Sequence, residues 1–436
     1  MTNKQTLFKN VSLSDGTVTN ILVSGQVIEY VGRETKGSAE EVDCSGLIAM
    51  SGFVDLHTHL REPGFEQSET ILTGSKAAAK GGFTCVHPMA NTNPVADNSA
   101  VVEQVYALGE AAGYVQVQPI GAVTANLEGK NLADLGKMNA SAAKVTVFSD
   151  DGKCVSDSLV MRRALEYVKA FDGVIAQHAQ DPLLTVNAQM NESALSLKLG
   201  LTGWPSVAEE AIIARDVLLT QEVGSRLHVC HVSTKGSVDV IRWAKSRGIN
   251  VTAEVTPHHL ILTEDLVSEY NPVYKVNPPL RTSEDVQALR QAVADGTIDI
   301  IATDHAPHTP DSKDCEWGEA AFGMIGLETA AAIAKTTLID TGLIDWKRFE
   351  ELLAINPAKI SKLSDQGQPI QAGSPANIVF FDPSTSYQVD SHGESKSTNN
   401  PYLGMTLSGS VVHTIYKGTF TVKNSLIQEI GIHNDN

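Results

Sequence analysis

Gly52-Phe53-Val54-Asp55-Leu56-His57-Thr58-His59 is an apolar run that ends in two histidines one residue apart. In an extended strand alternate side chains share a face, so Phe53, Asp55, His57 and His59 point one way while Val54, Leu56 and Thr58 point the other. Two imidazoles then converge on one point and form half of a metal site. A lone His pair in an apolar stretch is more often part of a core, so the rest of the chain has to decide between the two.

Seven more apolar, strand-like runs follow, at 83–87, 115–120, 144–148, 174–178, 226–231, 250–255 and 299–303. Between them lie stretches with apolar residues at three- and four-residue spacing, which predict helices over 73–80, 101–111, 159–171, 206–219, 237–247 and 283–294. Alternation of this kind implies parallel strands joined by helices, and eight strands suit a (β/α)8 TIM barrel. An open doubly wound sheet is the rival, but it normally carries a Gly-rich phosphate loop after its first strand, and HTHLREPG is not one.

Both ends of the chain read differently. Residues 5–8, 20–24 and 27–31 at one end, and 377–381, 411–416 and 419–422 at the other, are β-rich and punctuated by Gly, Pro and Asp. Neither end alone covers a sheet, so both are expected to pair into one small β-sandwich-like domain formed from 1–49 and 366–436, flanking a barrel over 50–365.

Composition narrows the function. The formal charge of -18 repels phosphate backbones and anionic membranes, and no basic patch offsets it, so a small-molecule substrate is expected rather than nucleic acid or membrane. The five cysteines are scattered and include no CxxC pair, which argues for reduced thiols rather than a disulfide framework or zinc knuckle. Cys230 is expected to pack in the core, on the opposite side of its strand from His231. The N-terminal MTNKQTLFKN has no apolar segment of the signal-peptide kind and no run approaches a membrane span, so the expected location is the cytoplasm.

The chemistry falls at strand ends. His57 and His59 follow the first strand, Ser149-Asp150-Asp151-Gly152 the fourth, His178 the fifth, His231 the sixth and Asp304-His305 the eighth. In a barrel these C-terminal ends open on one rim, where such enzymes place their active sites. Four imidazoles and two carboxylates exceed one tetrahedral ion and suit two ions that share a bridging ligand. The nitrogen-rich set favours zinc, with manganese, cobalt and iron left open by residue type.

These residues resemble a known family. The run GFVDLHTHLREPG, Asn91-Thr92-Asn93-Pro94, Phe148-Ser149-Asp150-Asp151-Gly152, Asn277-Pro278-Pro279-Leu280, Ala302-Thr303-Asp304-His305-Ala306-Pro307-His308 and Gly326-Leu327-Glu328 are similar, in order and across essentially the whole chain, to class I dihydroorotase of the amidohydrolase superfamily. The resemblance implies reversible cyclisation of N-carbamoyl-L-aspartate to (S)-dihydroorotate and water, the third step of UMP synthesis. It implies two zinc ions per subunit: His57, His59 and Asp304 on one, His178 and His231 on the other, and Asp151 between them. A pair of cations acidifies water and polarises an amide carbonyl, and Asp304 is then the expected proton shuttle.

For the substrate, Arg61 offers a guanidinium fork suited to a carboxylate, with a surface ion pair to Glu62 or Glu66 as the plainer reading. The resemblance adds His59 and Asn91 as contacts near that carboxylate, Asn277 at the pyrimidine ring, and His308 with the backbone at Phe322 and Gly323. Residues 309–319 are then expected to form a mobile lid, or else a solvated loop carrying Asp311, Lys313 and Asp314. His258 and His259 end the seventh strand and are expected to support the site rather than bind metal.

The chain departs from the family where Ala90 and Ala321 replace prolines, which removes rigidity but no reacting group. Hydantoinases and some dihydroorotases bridge their metals with a carboxylated Lys. Lys144 begins its strand and is expected at the opposite rim, away from that role. The alternatives are a hydantoinase or allantoinase, which would want that Lys, and a non-catalytic scaffold, which would have lost ligands that are all present here. At family level the resemblance also implies a homodimer and association with a transcarbamoylase.

Overall fold

Five strands precede the barrel: β1 (Gln5–Leu13), β2 (Val18–Ser24), β3 (Val27–Gly32), β4 (Glu40–Asp43) and β5 (Ile48–Ser51). The His57-Thr58-His59 run lies in β6 (Phe53–Thr58) and just past its end. After it come β7 (Phe83–Pro88), β8 (Gln116–Val117), β9 (Val147–Phe148), β10 (Val174–Gln177), the short pair β11 (Met190–Asn191) and β12 (Gly203–Trp204), then β13 (Leu227–Val229), β14 (Val251–Val255) and β15 (Ile300–Ile301). The structure is a computed structural model that describes residues 5–34 and 39–430. The first four residues of the N-terminal decapeptide and both outer ends of the expected small domain lie outside the described residues.

All eight predicted runs contain a strand, and the eight are parallel. β6-β7-β8 form one sheet and β9-β10-β13-β14-β15 another. Parallel bridges between Gly121 and Phe148, and between Thr58 and His305, close the two into a ring. Across the second seam the His59 N–H donates to the His305 carbonyl at 2.8 Å and the Asp304 N–H to the His57 carbonyl at 3.0 Å. The result is the expected (β/α)8 barrel. One correction concerns Lys144, which lies in an exposed turn at φ 47° ahead of β9 rather than at the start of a strand.

The six predicted helices form as Ile71–Lys80, Ser99–Ala112, Ser158–Lys169, Val207–Val223, Lys235–Ser246 and Ser283–Asp295. Thr70 with Thr73, and Thr282 with Asp285, make reciprocal capping boxes, and the Asn98 side chain accepts the Ala100 and Val101 N–H groups. Each such cap stabilises its helix by about 1 kcal/mol. Inside the barrel Ile120, Val147, Val174, Ala176, Cys230, Ile300 and Ala302 belong to one apolar cluster. Val147, Ala176 and Ala302 stand an even number of residues before Asp151, His178 and Asp304, so each strand carries its apolar filling below the rim and its polar group at it.

Four strands complete the other layer: β16 (Ile378–Gln388), β17 (Thr406–Tyr416), β18 (Thr419–Lys423) and β19 (Leu426–Ile427). They join the N-terminal strands in the order β19-β18-β17-β16-β5-β1-β2-β3, with β4 beside β1. The two ends of the chain therefore meet where β5 pairs antiparallel with β16. Phe8 and Phe420 lie on strands four steps apart, yet their rings are 5.7 Å apart. A flat sheet at about 4.8 Å per strand would separate them by about 19 Å, so the sheet curls over on itself like a sandwich. One residue separates β5 from β6, and the Thr414 hydroxyl donates to the Ala79 carbonyl at 2.8 Å, which docks the sheet on the first barrel helix.

Candidate functional site

The strand-end residues meet at one rim of the barrel. His57, His59, Asp151, His178, His231 and Asp304 are all buried. Asp151 is the hub: its Oδ1 lies 3.4 Å from His57 Nε2, 3.2 Å from His178 Nδ1 and 3.3 Å from His231 Nε2, and its Oδ2 lies 3.3 Å from His59 Nε2. Asp304 Oδ1 stands 3.4 Å from His57 Nε2 and 3.1 Å from His59 Nε2. His178 Nδ1 faces His231 Nε2 at 2.9 Å. The donors thus divide into His57, His59 and Asp304 on one side and His178 and His231 on the other, with Asp151 common to both.

Such a set fits divalent cations on its own chemistry. His57 Nε2 is buried with no hydrogen-bond partner among the described residues, although it is ringed by carboxylate oxygens, and the donors are the neutral nitrogens and carboxylates that borderline ions prefer. Triplets His57-His59-Asp151 and Asp151-His178-His231 each bring their donor atoms within 4.8 Å of one another. A third grouping of His57, Cys230 and Glu254 meets the same distance. There, however, Glu254 Oε1 takes His57 Nδ1 at 2.6 Å, and burial holds the Cys230 thiol well above its ordinary range, so this grouping fixes a ring and packs a core.

The electrostatics point the same way. Burial favours the neutral imidazole at His57, but the charges of Asp151, Glu254 and Asp304 outweigh it and hold the ring well above its usual pKa. Burial likewise pushes Asp151 and Asp304 up, and the surrounding rings, His57 foremost, pull both below the carboxylate range. Negative charge collects where positive charge is wanted. The backbone is strained here as well, with Arg61, His231 and Asp304 at φ 64°, 31° and 48°. At His231 this break in the strand lets Cys230 join the apolar cluster while the imidazole turns to the rim.

Around these six stand groups that aim them. Glu254 accepts the His231 N–H at 3.1 Å and also meets His228 Nε2 at 3.0 Å. Gln180 Oε1 meets His178 Nε2 at 2.8 Å, so Nδ1 is the nitrogen left for the centre. Asn91 Oδ1 lies 3.0 Å from His59 Nδ1 and orients that ring. Asp150 turns away to accept the Val123 and Thr124 N–H groups at 2.8 and 2.9 Å, and Asp55 accepts the Thr303 hydroxyl at 2.5 Å. Glu254 and Gln180 escaped the reading of the sequence. A Glu inside the apolar strand 250–255 was the available signal, because a buried carboxylate there requires partners.

Arg61 projects into the same opening. Its Nε donates to the Pro307 carbonyl at 3.0 Å, while Glu62 accepts the Ile71 N–H and Glu66 the Gly64 N–H at 2.8 Å each, which sets aside the expected ion-pair alternative with either. Burial lowers Arg61 to about 10, which leaves it charged at neutral pH. Gly64, at φ 102°, allows this loop to rest on the next: a Cβ there would lie 2.2 Å from the Asn93 carbonyl. His308 is pulled to about 3 by burial and by Arg61, so it is neutral, and its Nε2–H donates to the Phe322 carbonyl at 2.7 Å.

Asn277 Nδ2 donates to Gln180 Oε1 at 3.2 Å, while its buried Oδ1 has no partner among the described residues. Phe322 packs on Trp204, and the Gly323 N–H donates to the Lys275 carbonyl at 2.9 Å. Asp311 and Asp314 are exposed, but Lys313 is not the solvated residue of a free loop: it is buried, with Nζ donating to the Pro272 and Lys275 carbonyls at 3.0 Å each. Lys275 Nζ in turn donates to the Trp317 and Gly318 carbonyls at 2.6 and 3.1 Å, so each segment is tied to the other. His258 and His259 are buried beside the centre, the latter between Thr256 Oγ1 and the Pro278 carbonyl.

Comparison with known proteins places the chain in a family. The family model described as dihydro-orotase-like matches residues 46–237. A dihydroorotase of Leifsonia xyli is 61% identical over 432 residues, covering 98% of both chains, and one of Streptomyces coelicolor is 59% identical over 96% of this chain and 98% of its own. The dihydroorotase of Mycobacterium tuberculosis is 47% identical over 95% and 97%. Among solved structures, the L-hydantoinase (dihydropyrimidinase) of Arthrobacter aurescens superposes with a TM-score of 0.86 at 25% identity over 98% of each chain. The dihydropyrimidinase of Brevibacillus agri, at 22% identity and a TM-score of 0.84 over 97% and 96%, shares the fold. Among the described residues no helix is long and apolar enough to cross a membrane. With relatives this similar along nearly its entire length, the chain belongs to the dihydroorotase family of metal-dependent cyclic amide hydrolases.

Proposed function

We propose that this chain catalyses the reversible cyclisation of N-carbamoyl-L-aspartate to (S)-dihydroorotate and water, the third step of UMP synthesis, at a centre that holds two zinc ions. The observation that carries the reading is Asp151, a single carboxylate shared by four imidazoles that otherwise fall into two groups. His57, His59 and Asp304 would hold one ion, His178 and His231 the other, and Asp151 both. Two such ions supply Lewis acidity toward an amide carbonyl and make water acidic enough to react near neutral pH.

The protein's own groups do the rest. Arg61 is a half-buried, charged fork without an acidic partner among the described residues, and it takes the exocyclic carboxylate of the substrate. Asn91 holds His59 and presents its amide beside that carboxylate. Asn277, whose Oδ1 lacks a donor, accepts an N–H from the ring. His308 and the backbone of Phe322 and Gly323 close over the ring, and the 309–319 segment acts as a lid whose opening parts the Lys313 and Lys275 ammonium groups from the carbonyls that hold it shut. In ring opening, water oxygen bonds to the amide carbon, the C–N bond breaks, and Asp304 carries the proton from the water to the departing nitrogen. Ring closure reverses each step.

Hydrolysis of dihydroorotate by the purified chain tests this, with and without chelator, beside an Asp304→Asn variant and with hydantoin as a second substrate. Chelation is expected to abolish turnover, and Asp304→Asn to reduce it by about 10²- to 10⁴-fold while bound metal persists. Unchanged rates in either case defeat the mechanism. Preferred turnover of hydantoin would transfer the chain to that substrate class, against which the exposed Lys144 already counts.

A further inference from the structure

Behind the catalytic rim, between the barrel and the composite sheet, lies a second cavity of about 450 Å³. Its walls are the 325–332 segment, the 387–393 segment and the faces of β16 and β17, and none of the six residues at the centre lines it. This volume falls within the range of small-molecule sites, and its accessible apolar lining comes from Ile325, Val411 and Leu403. Two polar groups face this apolar lining. Glu328 Oε1 accepts the Glu394 and Ser395 N–H groups at 2.9 and 3.4 Å, but among the described residues Oε2 has no donor. The Tyr387 hydroxyl, near enough to feel the Glu328 charge, likewise has no partner among the described residues.

A half-buried carboxylate with one oxygen unanswered favours a cation. Burial pushes the Glu328 carboxyl up to about 7 and outweighs the Lys80 charge, which draws it down. Lys80 lines the same space, but its ammonium is held by the Ser425 carbonyl. Asp390 adds a second negative charge at the wall. We propose that this cavity is a ligand site separate from the catalytic centre, which takes a small organic cation with an apolar body, its ammonium or guanidinium on Glu328 and Tyr387 and its hydrocarbon against Val411 and Leu403.

The site is placed to be felt at the centre. The Gly326 N–H donates to His305 Nδ1 at 3.2 Å, and His305 Nε2 meets Glu69 Oε2 at 3.4 Å. Glu69 in turn accepts the Ser395 hydroxyl and the Lys396 N–H. Both walls that carry Glu328 and its donors therefore grip the residue next to Asp304.

Phenethylamine is a suitable probe, with 2-phenylethanol as its neutral isostere, titrated calorimetrically into the full chain. The amine is expected to bind saturably and at least about tenfold more tightly than the alcohol, the worth of one charge-assisted hydrogen bond. Glu328→Gln should weaken the amine by about tenfold and leave the alcohol unchanged. Tyr387→Phe, which removes only an oxygen, should weaken the amine by a smaller factor, and it serves if Glu328→Gln does not fold. Equal affinity for amine and alcohol, no saturable binding, or an amine affinity indifferent to both substitutions would overturn the assignment.

Discussion

Two buried histidines, one in the barrel rim and one in the composite sheet, show how differently the two halves of this molecule treat charge. His413 on β17 is packed between Phe380 and Phe420, with ring centroids 5.8 and 5.5 Å away, and burial lowers it to about 4. His57 is just as buried, but the Asp151, Glu254 and Asp304 carboxylates hold it well above its ordinary pKa. Burial alone produces the first result, and only a gathered set of acids reverses it. The His413 pocket in the sheet thus excludes charge, whereas the rim pays in stability for a concentration of negative charge that a cation can use.

Substitutions at the two places should accordingly separate activity from stability. The largest effect is expected from Asp151→Asn, which weakens the one acid common to both groups of imidazoles. Turnover should fall by about 10³-fold or more and bound metal to about one ion per chain or fewer, read by metal analysis beside a circular dichroism spectrum that stays native. A variant that kept both ions would break the contrast. In the sheet, Phe380→Ala removes a ring 4.5 Å from Phe8 and should cost about 3–5 kcal/mol in urea unfolding, while turnover per folded chain is unchanged.

A smaller effect sharpens the comparison at the rim itself. Glu254 touches none of the space between the two groups of ligands but orients His57 through Nδ1, so Glu254→Gln should lower metal affinity by about 10- to 100-fold without abolishing binding. An unchanged affinity would reduce Glu254 to a structural partner of His228.

The least effect concerns pH in the sheet. His413 is neutral when folded, with its Nδ1 accepting the Asn424 N–H at 3.1 Å, and its folded pKa lies below the unfolded value. The unfolded chain therefore binds the proton first, and stability is lost as pH falls from about 6.5 toward about 4. Over that interval a loss of about 1 kcal/mol or more is expected from this residue. His413→Phe should flatten the slope of urea midpoint against pH, even if the unpaired Asn424 N–H lowers stability overall. A slope as steep as before would place the acid sensitivity elsewhere.

The eight strands and the six helices were legible because each depends on periodicity within a dozen residues. The six rim residues were legible because a barrel places every C-terminal strand end on one side, so position within a strand suffices. Glu254 was legible only as a buried acid in need of a partner; which ring it holds was not, since His57 lies 197 residues away. Lys313 looked like a loop lysine and is buried, because its partners are carbonyls at Pro272 and Lys275 that only tertiary packing brings near. The choice of Nδ1 at His178 rests on Gln180 and on the local direction of the chain, which residue type does not report.

Order along the chain determined the class of fold, the β-rich character of both ends, and the identity of the groups at the rim, because patterns of apolar and turn residues act over short distances. Tertiary structure alone decided which nitrogen each ring presents, which acid is shared, and that a second cavity opens behind the centre. Those properties depend on distances between segments that are remote in sequence, and such distances exist only once the barrel has closed.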